Sequence, residues 1–193
     1  MERDAASYGP PSNTENLQFM NTSKLRVFIS AEQIRVRIKE LGAQISADYP
    51  DGIIYLVCIL KGACMFHADL ARAIDRHTRL DFIGISSYGK GKTSSGQVRL
   101  TKDLDSPIEG ADILIVEDIV DSGVTLNYLT QVLMQRKPKS VRIATLLDKP
   151  ERRQRPVNVH YVGFQIPDEF VVGYGLDFAE DYRNLKDICI LSE

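Results

Sequence analysis

The sequence lacks several features that would assign it at once to a special class of protein. No apolar run reaches the roughly 18 residues that a membrane-spanning helix needs, and residues 1–20 have no apolar core of a secretion signal. The formal net charge is only −2, so no strong overall field attracts nucleic acid or a membrane surface. These absences predict a cytoplasmic protein with neither a nucleic-acid nor a membrane partner.

Cysteine is also scarce. The three cysteines, Cys58, Cys64 and Cys189, are odd in number and lie within or beside apolar runs. Their spacings match no zinc-binding pattern, and we interpret them as reduced thiols packed in a core. Reduced thiols again indicate the cytoplasm.

The length and composition are those of one ordinary globular domain. A chain of 193 residues, with 44% hydrophobic and 26% charged residues, buries enough surface to fold without disulfides. Residues 1–24 are polar, contain Pro10-Pro11 and are predicted to be a flexible tail. The single domain is therefore expected to span residues 25–193.

Apolar periodicity predicts an α/β protein. A helical pattern over residues 30–49 opens with Ser30 and Gln33 in a capping box, and further helices are expected over about 63–75 and between Val120 and Pro138. Segments with the length and pattern of strands are 52–60, 80–86, 112–118, 141–147, 160–164, 170–174 and 188–191. Strands that alternate with helices predict a mostly parallel twisted sheet flanked by helices on both faces.

One stretch is unusual for a sequence that only builds a core. VEDIVDSGVTL, residues 116–126, sets Glu117, Asp118 and Asp121 directly behind the apolar run ADILIV, although burying carboxylates is costly. Ligands of parallel sheets bind beyond the carboxyl ends of the strands. The three acids fall at such an end, which predicts that they belong to a binding site.

The turn DSGVT, Asp121–Thr125, leads from this strand into the next predicted helix. Backbone N–H groups at a helix N-terminus bind phosphate, and Gly123 allows the backbone to approach closely. The preceding acids can bind Mg²⁺ or sugar hydroxyls. A phosphorylated sugar satisfies both halves of the motif. The simpler alternative is that Asp121 only caps the helix and that the other two acids are solvated.

The usual nucleotide-binding loops do not explain this site. The G-x-x-x-x-G-K-[ST] pattern is absent, and GKGKTSSG does not have the G-x-G-x-x-G spacing. A dinucleotide site is therefore not expected.

Five motifs together resemble those of the type I phosphoribosyltransferases, which bind 5-phosphoribosyl-1-pyrophosphate (PRPP). Besides VEDIVDSGVTL, they are LKG at 60–62, SSYG at 86–89, LLDKP at 146–150 and IPDEFVVGYGLDFAEDYRNL at 166–185. The resemblance extends from about residue 25 to the end of the chain and is strongest to the 6-oxopurine branch. It implies that fold, with a small hood formed by the chain termini.

The resemblance implies transfer of the phosphoribosyl group from PRPP to N9 of hypoxanthine, and of guanine, with Mg²⁺ as cofactor and release of pyrophosphate. Asp121 would accept the N7 proton and belong to the 5′-phosphate loop, which is Asp121, Ser122, Gly123, Val124 and Thr125. Glu117 and Asp118 would hold the ribose hydroxyls, directly or through the metal. The pyrophosphate would contact Leu60, Lys61, Gly62, Ser87, Tyr88 and Arg183, with a cis peptide expected between Leu60 and Lys61.

The resemblance also assigns the base pocket. Lys149 would donate to the purine O6, Phe170 would stack on the ring, and Val171 and Asp177 would complete the pocket, with Asp177 also belonging to the Mg²⁺ site. Residues of about 87–103 would form a mobile lid, and the enzyme would be a homodimer or homotetramer. The alternatives are a xanthine-preferring transferase and a non-catalytic regulator that senses PRPP. The second is disfavoured because the chain keeps each mapped catalytic position.

Overall fold

The computed structural model of the protein describes residues 25–87 and 98–191. The predicted tail, residues 1–24, and the centre of the predicted lid, residues 88–97, lie outside the described residues. Within the described ranges, no helix is long and apolar enough to cross a membrane.

Strands and helices alternate along most of the chain, as the apolar pattern predicted. The strands are β1 (Leu25–Ile29), β2 (Ile54–Leu60), β3 (Thr78–Ser87), β4 (Val98–Lys102), β5 (Asp112–Val120), β6 (Ser140–Asp148), β7 (Tyr161–Gln165), β8 (Val171–Val172) and β9 (Ile188–Leu191). The helices are α1 (Ala31–Asp48), α2 (Cys64–Ala73) and α3 (Val124–Met134), and a 3₁₀ turn covers Pro150–Arg152. The capping box of α1 is present, because the side chains and backbones of Ser30 and Gln33 bond reciprocally.

The main sheet has six strands in the order β4-β3-β2-β5-β6-β7. All neighbouring pairs are parallel except β3 and β4, which are antiparallel and form the two arms of the predicted lid hairpin. Because the other strands are parallel, the carboxyl ends of β2, β5 and β6 meet at one edge of the sheet.

Helices cover both faces of this sheet and divide the core into two layers. Alternate residues of β5 point to opposite faces: Leu114 and Val116 pack with α1 and α2, whereas Ile113 and Ile115 pack with α3. The buried stripe of α3 is Leu126, Leu129 and Leu133, as its spacing predicted. The mostly parallel, doubly covered sheet confirms the predicted fold class.

The second sheet is small, antiparallel and built from the two ends of the described chain, in the order β1-β9-β8. It is the hood that the resemblance implied. The prediction that 170–174 is a full strand is wrong, since only Val171 and Val172 pair before the chain turns and the Gly173 N–H donates to the Leu176 carbonyl. Strand β1 was not predicted, because only part of its side-chain surface is buried.

Candidate active site

Asp121 and Lys149 are neighbours because two adjacent parallel strands end in register. Val120, the last residue of β5, is paired with Asp148, the last residue of β6. The Lys149 N–H continues this ladder and donates to the Val120 carbonyl at 2.9 Å. The sheet therefore sets the first residue beyond each strand at a common edge, although the two residues are far apart in sequence.

The predicted phosphate loop, Asp121–Thr125, borders a cavity of about 100 Å³ at the N-terminus of α3. Helix α3 begins at Val124, with Gly123 as its N-cap residue, so the N-cap position has no side chain, and the Val124 N–H donates to the Ser122 Oγ at 3.4 Å. The simpler interpretation of Asp121 as a helix cap is therefore not what the structure has. A helix N-terminus that lines a small cavity is suited to bind an anion.

The loop is held from behind by the segment that follows Lys149. The backbone N–H groups of Gln154 and Arg155 donate to the Ser122 carbonyl at 2.9 and 3.0 Å, and the Arg153 guanidinium donates to the Asp121 carbonyl at 2.6 Å. Gly123 has φ 78°, and a Cβ there would lie 2.7 Å from the Arg155 carbonyl oxygen. Only glycine fits this packing, so the loop is rigid where a phosphate would contact it.

Glu117 and Asp118 lie within β5, two strand residues before the loop, and their environment disfavours ionisation. Burial, reinforced by the charge of Asp118, raises the pKa of Glu117 well above its usual value. Burial raises the pKa of Asp118 to about 6, against the effect of the Ile119 N–H, which donates to its carboxylate at 2.7 Å. The buried Oε2 of Glu117 has no hydrogen-bond partner among the described residues. Two adjacent carboxylates of this kind fit a cation or hydroxyl donors.

The LKG loop contacts Asp118 and also the segment before the hood strand β9. The peptide bond between Leu60 and Lys61 is cis, as the resemblance implied. A Cβ on Gly62 would lie 1.7 Å from the Asp118 Oδ2, and one on Gly175 would lie 2.0 Å from the Gly62 carbonyl oxygen. Gly62 therefore packs against the Asp118 side chain and Gly175 against the Gly62 backbone, and neither glycine has room for a side chain.

Arg183 and Asp177 are paired with one another at the side of this loop. The Arg183 guanidinium donates to the Gly175 carbonyl at 2.8 Å and forms an ion pair with Asp177 at 2.8 Å. Arg183 lowers and Asp177 raises the pKa of Asp118, so the pair is close enough to Asp118 for their charges to be felt there. The buried Nε of Arg183 has no partner among the described residues.

The predicted base pocket is assembled beside Lys149. This lysine is buried, with a relative exposure of 9%; its Nζ donates to the Glu169 carbonyl at 2.7 Å and contacts the Asp168 carboxylate at 3.3 Å. Val171 is buried in β8, whereas Phe170 is 53% exposed. The ring of Phe170 and that of Phe178 are arranged edge to face, with 5.7 Å between their centroids. An exposed aromatic face next to a buried ammonium group fits a flat polar ring.

The remaining predicted residues are less well defined. Ser87 ends β3, and Tyr88 lies outside the described residues. Within residues 25–87 and 98–191, no three His, Cys, Asp or Glu side chains form a cluster that could hold a metal ion. Glu117, Asp118 and Asp177 therefore do not converge as a preformed three-carboxylate site.

Sequence reasoning missed Arg152, Arg153, Asp168 and Glu180. Glu180 pairs with Lys61 of the LKG loop at 2.8 Å, and Asp168 is shared by Lys149 and Arg152 at 3.3 and 3.1 Å. These residues lie inside or directly after the quoted motifs LLDKP and IPDEFVVGYGLDFAEDYRNL. Their position in or next to these motifs marks them as candidate site residues. Charged loop residues are usually solvated, however, so the sequence alone predicts no role for them.

A cavity larger than the one at the loop Asp121–Thr125 lies elsewhere. It has a volume of about 650 Å³, lies between α1, α2 and residues 183–186, and is lined mainly by apolar side chains such as Ile34, Ile38 and Met65. It contains none of Glu117, Asp118, Asp121 and Lys149. Size alone therefore does not identify the site whose residues carry the chemistry.

Comparison with known proteins shows which family the chain resembles. Residues 30–179 match the family model described as the phosphoribosyl transferase domain. The chain is 51% identical to a hypoxanthine-guanine phosphoribosyltransferase of Bacillus subtilis over 166 residues, which are 86% of this chain and 92% of that protein. A crystal structure of a hypoxanthine phosphoribosyltransferase from Staphylococcus aureus has a TM-score of 0.87 and 47% identity, covering 92% of this chain and 97% of that one. The crystal structure of a hypoxanthine-guanine phosphoribosyltransferase from Bacillus anthracis has a TM-score of 0.82 and 48% identity, and the match covers 86% of this chain and 97% of that one.

Proposed function

The chain belongs to the phosphoribosyltransferase family, and on this premise we propose that it transfers the phosphoribosyl group of PRPP to N9 of hypoxanthine and guanine. The products are a purine nucleoside 5′-monophosphate and pyrophosphate, so the reaction salvages free purines. One observation carries the proposal: an anion-binding loop, two buried acids and a buried lysine meet at one edge of the sheet.

We assign the 5′-phosphate of PRPP to the loop Asp121–Thr125. The N-terminus of α3, where the N-cap residue is a glycine, offers N–H groups and a partial positive charge to this dianion. The loop is fixed by the backbone of residues 154–155 and by the Arg153 side chain, so little ordering is needed when the phosphate binds. The ribose then lies towards β5, where Glu117 and Asp118 are available to its hydroxyls.

We propose that Mg²⁺ binds with PRPP beside Asp118, with Glu117 and Asp177 close to the same shell. The support is chemical: the buried Glu117 Oε2 has no partner among the described residues, and burial makes both β5 carboxylates costly without a cation. Mg²⁺ is commonly held by one or two carboxylates together with substrate phosphates. When bound, it would offset the negative charge that gathers on the departing pyrophosphate.

Pyrophosphate departure is assigned to the LKG loop and Arg183. The Leu60, Lys61 and Gly62 backbone lies against Asp118, and the Arg183 guanidinium has a buried Nε without a partner among the described residues. A preorganised guanidinium and backbone N–H groups stabilise charge that develops in an oxocarbenium-like transition state. Ser87 and Tyr88 would add to this site from the lid of about residues 87–103, which remains a prediction.

The base is assigned to the space between Lys149, Phe170 and the backbone at Val171. The Lys149 ammonium can donate to a carbonyl oxygen at C6 but has no acceptor for a 6-amino group, which favours 6-oxopurines over adenine. Asp121 accepts the N7 proton, which becomes acidic once N9 begins to bond to the ribose. A positioned carboxylate suffices as the acceptor for that transfer.

The proposed function is tested by a spectrophotometric assay with PRPP, Mg²⁺ and a panel of hypoxanthine, guanine, xanthine and adenine. We expect turnover of hypoxanthine and guanine and none of adenine. If xanthine is preferred over hypoxanthine and guanine, the proposed substrates are wrong. If PRPP binds but no base is turned over, the protein is a PRPP sensor rather than an enzyme.

We also propose that the enzyme is a cytoplasmic homo-oligomer, a dimer or a tetramer. The three cysteines are free, as expected for a protein kept in a reducing compartment. The Trypanosoma cruzi hypoxanthine phosphoribosyl transferase, 45% identical to this chain, has been studied for the role of its C-terminal region in its oligomeric state. Light scattering at working concentration tests the assembly, and a monomer mass would contradict it.

A further inference from the structure

A chain of alternating charges runs behind the proposed base pocket. The Arg152 Nε contacts the Asp121 Oδ1 at 3.1 Å, and the Arg152 Nη1 contacts the Asp168 Oδ2 at 3.1 Å. The other oxygen of Asp168, Oδ1, accepts from the Lys149 Nζ at 3.3 Å. Asp121, Arg152, Asp168 and Lys149 thus connect the proposed proton acceptor with the proposed O6 donor, although two different strands deliver these end groups.

The two ends of this chain each keep one hydrogen-bonding position for a substrate. An ammonium group has three N–H donors, and Lys149 directs two of them to the Glu169 carbonyl and to Asp168. The Asp121 carboxylate accepts from Arg152 through Oδ1, which leaves Oδ2 for another donor. One donor position therefore remains at Lys149, and one acceptor position remains at Asp121.

A 6-oxopurine carries the complementary pair on one edge, because its O6 accepts and its N7 becomes a donor as the reaction proceeds. We propose that Arg152 is a positioning residue for this edge, anchored by Asp168, and that the bound base closes a ring of hydrogen bonds through Lys149, Asp168, Arg152 and Asp121. The inference rests on the proposed function and assigns to it a residue that never touches the substrate. Arg152 fixes the rotation of the Asp121 carboxylate so that Oδ2 faces N7.

The exposure of these ion pairs separates this role from a stabilising one. The side chains of Arg152, Asp121 and Asp168 are 49%, 44% and 49% exposed, and exposed ion pairs contribute little to folding. Arg152 therefore contributes to the alignment of the site rather than to folding stability. A displaced catalytic group slows a reaction that depends on alignment. A planar fork that binds two carboxylates through different nitrogens suits this task better than a lysine.

The proposal is tested by a double-mutant cycle in which kcat, the KM for hypoxanthine and the Kd for PRPP are measured for wild type, Arg152→Ala, Asp121→Asn and the double variant. In the wild-type background we expect Arg152→Ala to lower kcat about tenfold while the Kd for PRPP changes less than about twofold and Tm is unchanged. In the Asp121→Asn background the same change should alter kcat less than about twofold, because no proton acceptor remains to be positioned. Arg152→Lys should recover part of the loss, and Arg26→Ala, an exposed arginine of β1, is the control.

Each other outcome counts against the positioning role. An unchanged kcat in Arg152→Ala, or an equal loss in both backgrounds, overturns it while leaving the proposed function intact. A rise in the Kd for PRPP that accounts for the whole loss would make Arg152 part of the phosphate site instead. Absence of product with the wild-type enzyme would refute the proposed function itself, and near-full kcat in Asp121→Asn would remove the group that Arg152 is proposed to hold.

Discussion

Asp121 and Lys149 occupy equivalent positions, each directly beyond a strand, but their surroundings differ. The lysine is buried and held by a carbonyl and a carboxylate, whereas the Asp121 carboxylate is 44% exposed and held only by Arg152 among the described residues. The backbone of Asp121 is fixed independently, because its carbonyl accepts from Arg153. Side-chain and backbone roles at this residue can therefore be separated by substitution.

Asp121→Asn should lower kcat by at least about 30-fold, since loss of a general base typically costs 10²–10⁴-fold. The amide retains the size of the carboxylate, and the backbone that forms the phosphate loop is unchanged, so the Kd for PRPP should change by less than about fivefold. Steady-state kinetics and isothermal titration with PRPP measure the two quantities. A variant with nearly full kcat would reduce the carboxylate to a structural group.

Lys149→Met keeps the apolar stem of the side chain and removes the charge. We expect the KM for hypoxanthine to rise about tenfold or more, because a hydrogen bond from a charged donor contributes roughly 1.5–3 kcal/mol, and discrimination against adenine to weaken. Affinity for PRPP should be nearly unchanged. Lys39→Met, at an exposed position of α1, serves as the control, and an equal loss of PRPP affinity in Lys149→Met would remove this lysine from the base pocket.

The sequence predicted the residues at strand ends better than the contacts between loops. Asp121 and Lys149 follow apolar runs, and parallel pairing brings such positions together. Arg152 contacts Asp121 because of the path that the chain takes after β6, and Glu180 contacts Lys61 because of the path after β8. No local pattern encodes these contacts, and they became visible only in the folded structure.

At the scale of elements, α1 packs so closely on α2 that glycine is favoured over alanine at position 42, which is the reverse of ordinary helix propensity. A Cβ added at Gly42 in α1 would lie 2.4 Å from the Ala73 carbonyl oxygen. We expect Gly42→Ala to destabilise the protein by about 1–3 kcal/mol through overpacking, measured by urea unfolding. The neighbouring exposed Ala43 is the matched control, because Ala43→Gly should cost only about 0.5–1 kcal/mol by helix propensity. A more stable Gly42→Ala variant would contradict this packing.

Helix α2 is also tied to the sheet by His67, and this contact should depend on pH. The buried Nε2–H donates to the Leu56 carbonyl at 3.2 Å, and the ring meets the edge of Phe82. Burial lowers the pKa of His67 below its usual value of 6.5. Above pH 6.5 the residue is neutral in both the folded and the unfolded chain, so it has no effect there.

As the pH falls below 6.5, the unfolded chain takes up a proton that the folded chain resists, and stability is lost until the lower folded pKa is reached. Relative to His67→Gln, which keeps a donor for Leu56, wild type should lose up to about 1.4 kcal/mol per pH unit between pH 6.5 and 5. Parallel unfolding curves for the two proteins across this range would show that His67 already takes up protons when folded.

The helices and the main strands were predictable because their periodicity is set by burial on one or two faces. The buried residues of α1 and α3 repeat at the spacing of a helix, and β2 is a continuous apolar run between two helical layers. The short strands of the hood were harder to predict. Strand β8 has two residues, and β1 alternates only partly, so pairing across the sequence rather than local pattern defines them.

For the whole molecule, the proposed site draws on both sheets. The main sheet would supply the acids, the loop Asp121–Thr125 and Lys149, whereas the segments around β8 would supply Phe170, Val171, Asp177 and Arg183. The LKG loop lies between them, packed against Asp118 on one side and Gly175 on the other. The distribution explains why the five motifs are scattered along the sequence but describe a single site.

We propose that this one site joins a 6-oxopurine to the phosphoribosyl group of PRPP. The most direct measurement follows hypoxanthine, PRPP, nucleotide and pyrophosphate together by chromatography, with Mg²⁺ and in excess EDTA. We expect one nucleotide and one pyrophosphate to appear for each base consumed. Formation of both products should require the metal, and Mg²⁺ should restore it after chelation. Pyrophosphate released without nucleotide, or substantial turnover in excess EDTA, would contradict this proposal.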